Sequence, residues 1–285
     1  MEIGSWKISK HWQDVAQGES QQEIISLMAQ ASSPLILTAF TLLDANWWSN
    51  GNQLRARCYA TDIHSDEFQV HTDTWSDSYL YQAVVSWLAI PSTPYGILAG
   101  TCSVEPHEAR GGKKHRKATR IAFQQAFYKP PKVFLCLNSL DLGGTWGIET
   151  RAENITRSGF DAVFESKGSS CLHAAGASWL VYDTSLEGIT SGIIDVHEDT
   201  SLQKSWAGEV KFKKPFQAPP RIFHGIRRIV ASAESNLRIS AEILEGSVTT
   251  DGFGWKIEGW DDSRNHGIQV AWLAVGDNMI QVLDD

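Results

Sequence analysis

The chain has 285 residues and a formal charge of −8 at pH 7. That length allows one to three domains, and that sign argues against a nucleic-acid binder, whose footprint is basic. No run of about 18 apolar residues occurs, and the first residues, MEIGSWKISKHWQD, lack an apolar core and a cleavage site. Neither a membrane span nor a secretory signal is therefore expected, and a cytoplasmic or non-classically secreted location is.

In chain order, Trp6 and Trp12 lead into Ile24-Ile25, within a segment from Ser20 to Ala31 whose composition also suits a helix. Pro34 to Leu37 reads as a strand, and 44–52 (DANWWSNGN) as a turn-rich loop. Leu54, Ala56 and Cys58 then alternate with Arg55, Arg57 and Tyr59, the period of a half-buried strand. Phe68 to Ile90 reads as a β-hairpin. Phe68, Val70, Thr72 and Thr74 share a face, Ser76-Asp77-Ser78 has turn chemistry, and Val85, Trp87 and Ala89 share the second strand's inner face. Pro91 to Pro94 is a linker. Further on, RGGKKHRK (110–117) reads as a solvated loop. FQQAFYKPPKVFLCL (123–137) reads as two strands broken at Pro130-Pro131, and FKKPFQAPPRIFHGI (212–226) copies it. That copy argues that 20–31 is a strand, because repeats share a fold.

The repetition is general. Trp87, Trp179 and Trp272 are spaced by 92 and 93 residues, and so are Phe68, Phe160 and Phe253. A period near ninety is too long for a solenoid unit and suits a small domain. The expected fold is all-β: three tandem six-stranded antiparallel β-sandwich domains over 1–91, 95–183 and 188–280. The three repeated tryptophans read as core, since their same-face neighbours are apolar in every copy.

Catalysis finds no support. G-x-S-x-G, HExxH, P-loop and GxGxxG patterns are absent. Asp261 and Asp262 are adjacent, so in a strand they would point to opposite faces. Cys58, Cys102, Cys136 and Cys171 form no CxxC or His/Cys zinc spacing. No catalytic residue, metal or cofactor is expected, and the thiols are expected to be free and mostly buried.

Three groups stand out instead. Trp75 and Trp260 lie seven residues after their Phe, on the opposite face. Such tryptophans either line a binding site or pack on a neighbouring repeat. Arg55 and Arg238 sit between inward apolar residues and point outward, towards the tryptophans. Tyr81, His173 and His266 each stand six residues before the repeated Trp, at the mouth of the last strand.

The ordered elements PP-x-V, GF, TWSDSYLY and SWLA resemble the H-type lectin domain, the family of snail agglutinins and the discoidin C-terminal module. The likeness runs three times over nearly the whole chain. It implies a six-stranded sandwich, trimeric assembly and shallow pockets between protomers for terminal galactose or N-acetylgalactosamine. Three fused repeats would form an intramolecular pseudo-trimer, possible as a monomer, with glycans as partners. By this resemblance the sugar-binding arginine matches Arg55 and Arg238, and the tryptophan matches Trp75 and Trp260. The following position is Ser76 or Asp261. The tyrosine matches Tyr81, replaced by His173 and His266, and Asp14 and Asp199 are the nearest candidates for an N-terminal-loop aspartate. Repeat 2 has Gly147 at the arginine position and Lys167-Gly168 at the tryptophan pair, with Arg151 four residues along the same row, so it is expected to contribute little. A protein-interaction module that kept the sandwich and lost the sugar site is the alternative.

Overall fold

The computed structural model describes residues 1–9, 18–45, 53–91, 96–105, 116–197, 204–232 and 234–276. Repeat 1 contributes β1 (Glu2–Ser9), β2 (Ser20–Ser26), β3 (Leu35–Ala45), β4 (Leu54–Thr61), β5 (Glu67–Asp73) and β6 (Leu80–Ile90). Repeat 2 contributes β7 (Ile97–Val104), β8 (Arg116–Ala122), β9 (Lys132–Gly143), β10 (Trp146–Thr156), β11 (Gly159–Ser166) and β12 (Cys171–Tyr182). Repeat 3 contributes β13 (Ile189–His197), β14 (Ser205–Lys211), β15 (Arg221–Ala231), β16 (Leu237–Ile243), β17 (Gly252–Glu258) and β18 (Asn265–Val275).

The strands form three six-stranded sheets, each built half from one repeat and half from another. Their orders are β1-β6-β3-β16-β17-β14, β2-β5-β4-β9-β12-β7 and β13-β18-β15-β10-β11-β8. Within a repeat, two three-stranded layers face each other. Between repeats, one layer continues edge to edge into the neighbour through β4–β9, β10–β15 and β3–β16. The last of these joins repeat 3 back to repeat 1, so the three repeats close into a ring. Pairing both strands at each seam removes edges that would otherwise be open to aggregation.

The segment 68–90 is not a hairpin. β5 pairs with β2 and β4, and β6 pairs with β1 and β3 in another sheet. The chain crosses the sandwich at residues 74–79, and the two strands meet face to face through their side chains. Alternation alone cannot separate these arrangements, because a face that packs across a sandwich carries the same apolar period as one within a sheet. The ring of Phe68 meets Trp87 edge-on at 5.4 Å, and Phe160–Trp179 and Phe253–Trp272 repeat this at 5.9 and 5.4 Å. Each indole lies over a glycine of the first strand of its repeat, Gly4, Gly100 or Gly192. A Cβ there would enter the ring, at 2.9 Å for Gly100 and 2.5 Å for Gly192.

Of the segment 20–31 expected to be a strand, Ser20–Ser26 is one and 27–31 is not, and the copied Phe-x3-Phe motif that argued for it is not a strand itself. Residues 123–131 connect β8 to β9, and Phe123 and Phe127 stack edge-on at 5.4 Å while their amides donate to the carbonyls of Ser158 and Arg157. Phe212 and Phe216 do the same at 4.9 Å.

A second core lies where the repeats meet. It is made of equivalent residues from each, including Leu37, Phe134 and Phe223, and Leu88, Leu180 and Leu273. Beside them stand Ala39, Cys136 and Gly225. A Cβ on Gly225 would collide with that of Ala39 and lie 3.0 Å from that of Cys136, so side-chain size is limited at this axis. All four cysteines are free, with Cys58 and Cys136 buried. Among the described residues, no helix is long and apolar enough to cross a membrane.

Candidate functional site at the seams

Each seam places the start of one repeat's fourth strand against the end of the next repeat's third. At the repeat 1–repeat 2 seam, Arg55 on β4 lies directly across from Asp141 on β9. Its Nε donates to Asp141 Oδ1 at 3.3 Å, and its Nη1 pairs closely with Asp77 of its own repeat. At the repeat 3–repeat 1 seam, Arg238 on β16 lies across from Asp44 on β3. Arg238 Nε faces Asp44 Oδ1 at 3.3 Å, and its Nη1 pairs with Asp262 and lies 3.6 Å from Asp261 Oδ2. The arginine side chains are 14% and 15% exposed and the two cross-seam aspartates 13% and 14%, so these are sheltered pairs rather than surface ones.

The loop that crosses the sandwich shapes the other wall. Ser76 and Asp261 adopt positive φ (59° and 50°), as Gly168 does in repeat 2 (62°), so the same left-handed turn recurs three times. Short polar residues and glycine tolerate that conformation. It leaves Trp75 and Trp260 half-buried and Ser76 and Asp261 exposed. Ser78 Oγ accepts the Arg55 amide at 3.0 Å and donates to the Gln53 carbonyl, fixing the turn to β4.

Tyr81, His173 and His266 each fall at a register break in the last strand, between Asp44 and Ala45, Asp141 and Leu142, and Val230 and Ala231 on the facing strand. A bulge re-aims the side chain that it carries. Tyr81 belongs with Asp44, and so with Arg238 of repeat 3 rather than Arg55 of its own repeat. His173 belongs with Asp141 and Arg55, and His266 stands at the seam where Gly147 takes the arginine position and Arg227 and Arg228 of β15 face Glu149 of β10 instead. Repeat 2 therefore brings Asp141 and His173 to one site. Asp14 and Asp199 lie outside the described residues, as do 110–115 of the basic run.

Burial pushes the Asp44 carboxyl up to about 6 against the pull of Arg238, with Asp261 and Asp262 adding to the rise. Burial also raises Asp141, opposed by Arg55 and then by His173. Desolvation thus outweighs the adjacent guanidinium at both.

The repeat 2–repeat 3 seam has lost the pair from both sides: Gly147 stands across from Val230. The turn has moved into the vacated space. The Gly147 amide donates to Ser170 Oγ at 2.6 Å, and a Cβ at 147 would lie 2.5 Å from the Lys167 carbonyl. Lys167 instead pairs with Glu149 at 2.9 Å and Glu165 at 2.6 Å, and Arg151 with Glu165 and Glu153 at 2.8 Å. The hydrogen bonds from Lys167 and Arg151 hold Glu165 down at about 2.

Arg57 was not singled out from sequence. Its guanidinium lies 6.0 Å from the Trp75 ring centroid and 4.9 Å from that of Tyr59, and pairs with Asp73 at 2.6 Å. Its place on the same outward row as Arg55 was the available signal. Among the described residues no cluster of three or more His, Cys, Asp or Glu side chains could hold a metal ion.

The H-type lectin domain family matches at residues 31–90, 118–182 and 208–275, once in each repeat. Two solved structures of discoidin II of Dictyostelium discoideum are similar to the chain at 13% identity over 64% of its length. The recombinant native form is covered over 95% of its length with a TM-score of 0.28, and the wild-type form over 94% with 0.29. No curated protein matches. The fold is a ring of three tandem antiparallel β-sandwiches, and the chain belongs to the H-type lectin domain family.

Proposed function

We propose that this protein is a non-catalytic lectin that takes terminal galactose or N-acetylgalactosamine at the repeat 1–repeat 2 and repeat 3–repeat 1 seams. The observation that carries the reading is the recurrence, at two seams, of a sheltered arginine paired with a carboxylate of the left-handed turn that follows a half-buried tryptophan. An arginine donates charge-assisted hydrogen bonds to ring hydroxyls, and an indole covers the apolar C–H face of galactose. The carboxylates at each seam accept from hydroxyls. Shallow pockets, as the family resemblance implies, give weak single-site binding, near 1 mM or about −4 kcal/mol. Two sites held rigidly on one ring gain up to ~10²–10⁴-fold when their spacing matches the target.

The test is a glycan array with labelled protein, competed by free N-acetylgalactosamine. Competed binding to terminal galactose or N-acetylgalactosamine glycans is the expected result. Arg55→Ala and Arg238→Ala should each remove one of two sites in a calorimetric titration, and the double variant should bind nothing. A second reading, a protein-interaction module on the same fold, is favoured by the carboxylates that already occupy both arginines. An array left blank by folded protein would select it.

A further inference from the structure

Resting on the sugar sites proposed above, we infer that Asp141 and Asp44 are positioning residues that aim the arginine of the adjacent repeat, so that each site is a unit of two repeats. Both aspartates occupy the same strand position in their repeats. Both are the cross-strand partner of the arginine, and both face its Nε at 3.3 Å. The arginine's own repeat supplies the second hold through Asp77 or Asp262 on Nη1. A guanidinium is a planar fork with five N–H donors. Arg55 is held by a hydrogen bond at Nε from one repeat and by a close pair at Nη1 from the other, and Arg238 by a charge contact at Nε and a close pair at Nη1, so each plane is constrained and donors remain for a ligand.

The third seam supplies the independent observation. If the aspartate merely filled space at the seam, its fate would not track that of the arginine. At the repeat 2–repeat 3 seam both partners are replaced, by Val230 and Gly147, and the turn has closed over the space. An aspartate without the arginine would be a sheltered carboxylate with no counter-charge across the seam, and an arginine without the aspartate would keep only the hold at Nη1 from its own repeat. Losing both together avoids either penalty.

The two sites differ in what surrounds the aspartate. Asp141 is faced by Arg55, His173 and Lys117, and Asp77 shares its arginine. Lys117 donates to the His173 and Glu105 carbonyls. Asp44 is faced by Arg238, Asp261 and Asp262, with Tyr81 at the adjacent register break and Lys204 reaching the Asp261 carbonyl. The greater concentration of carboxylate at the repeat 3–repeat 1 seam makes that site the more pH-sensitive.

The experiment uses full-length protein with ¹⁵N-labelled arginine. The Nε–Hε signals of Arg55 and Arg238 are followed in wild type, Asp141→Asn and Asp44→Asn, and each protein is titrated with N-acetylgalactosamine. Asp141→Asn should move the Arg55 signal and weaken the repeat 1–repeat 2 site at least tenfold while leaving the other site intact. Asp44→Asn should do the reverse. In wild type the repeat 3–repeat 1 site should weaken as pH falls through 6, and restoring a carboxylate with Asp44→Glu should recover part of the affinity that asparagine loses. Arginine signals that stay in place, or that move without a change in affinity, would overturn the positioning role. If wild type binds no sugar, the lectin reading fails separately, and the Nε signals still decide whether the aspartates orient the arginines.

Discussion

Asp44 carries the sharpest single-residue consequence. Its ordinary carboxyl value is 3.8 and burial raises it to about 6, so the folded chain binds this proton more tightly than the unfolded chain. The sign follows from linkage. The group's contribution to stability is fully present below about pH 4 and is lost as pH rises through 6. Between those limits the shift corresponds to at most about 3 kcal/mol. Asparagine removes the charge while keeping the shape. The urea midpoint of Asp44→Asn relative to wild type should therefore be level below pH 4, rise between pH 4 and 6, and stay high above it. A difference curve that is flat throughout would show that Arg238 offsets the burial cost. The same substitution is expected to harm the site, so stability and binding should move in opposite directions at neutral pH. The candidate arginines and tryptophans were picked out by their place in the repeats. Asp44 and Asp141 were not, because their role depends on which strand of which repeat they face, and no local pattern encodes that register. The only trace in the sequence is that Val230 and Gly147 depart together.

At the scale of elements, the Phe–Trp pair is the unit repeated most faithfully. The core role of Trp87, Trp179 and Trp272 was readable from their apolar same-face neighbours, and the shared face of Phe68 and Val70 from their alternation. Their mutual arrangement was not. A turn such as Ser76-Asp77-Ser78 serves equally to reverse a chain within a sheet and to carry it between layers, and only the partners of β5 and β6 decide. Because the pairs bridge layers, losing the ring removes a contact between sheets as well as buried area. Trp87 and Trp272 are 8% and 7% exposed, whereas Trp179 is only partly buried. Tryptophan-to-alanine substitution in a core costs about 3–5 kcal/mol, and less where water already reaches the ring. Urea denaturation should accordingly rank Trp87→Ala and Trp272→Ala as similar and Trp179→Ala as milder. Equal losses at all three would mean that the layers, not the exposure, set the cost.

The whole molecule is a ring in which no repeat owns a complete sheet. Three fused β-sandwiches were legible from the period, but ring closure was not, since tandem repeats with the same strands can also lie in a row. What distinguishes them is the β3–β16 pairing between the first and last repeats and the shared core at the axis. Every six-stranded sheet spans a seam, so unfolding one repeat strips half the strands from two sheets and opens the edges of both neighbours. The cost of that partial state should exceed what the remaining repeats retain, and the three should unfold together rather than in sequence. The axis offers a way to test this from one atom group. Gly225 meets Ala39 and Cys136 from the other two repeats, with no room for a Cβ. Gly225→Val overpacks a point common to all three, at a cost of about 1–3 kcal/mol. The expected outcome is a single calorimetric transition in wild type and a single, lower one in the variant, with amide protection falling alike in repeats 1, 2 and 3. If the variant splits the transition, or if protection falls only in repeat 3, the repeats are independent sandwiches that touch, and the seams could not hold a two-repeat site rigidly enough to orient an arginine.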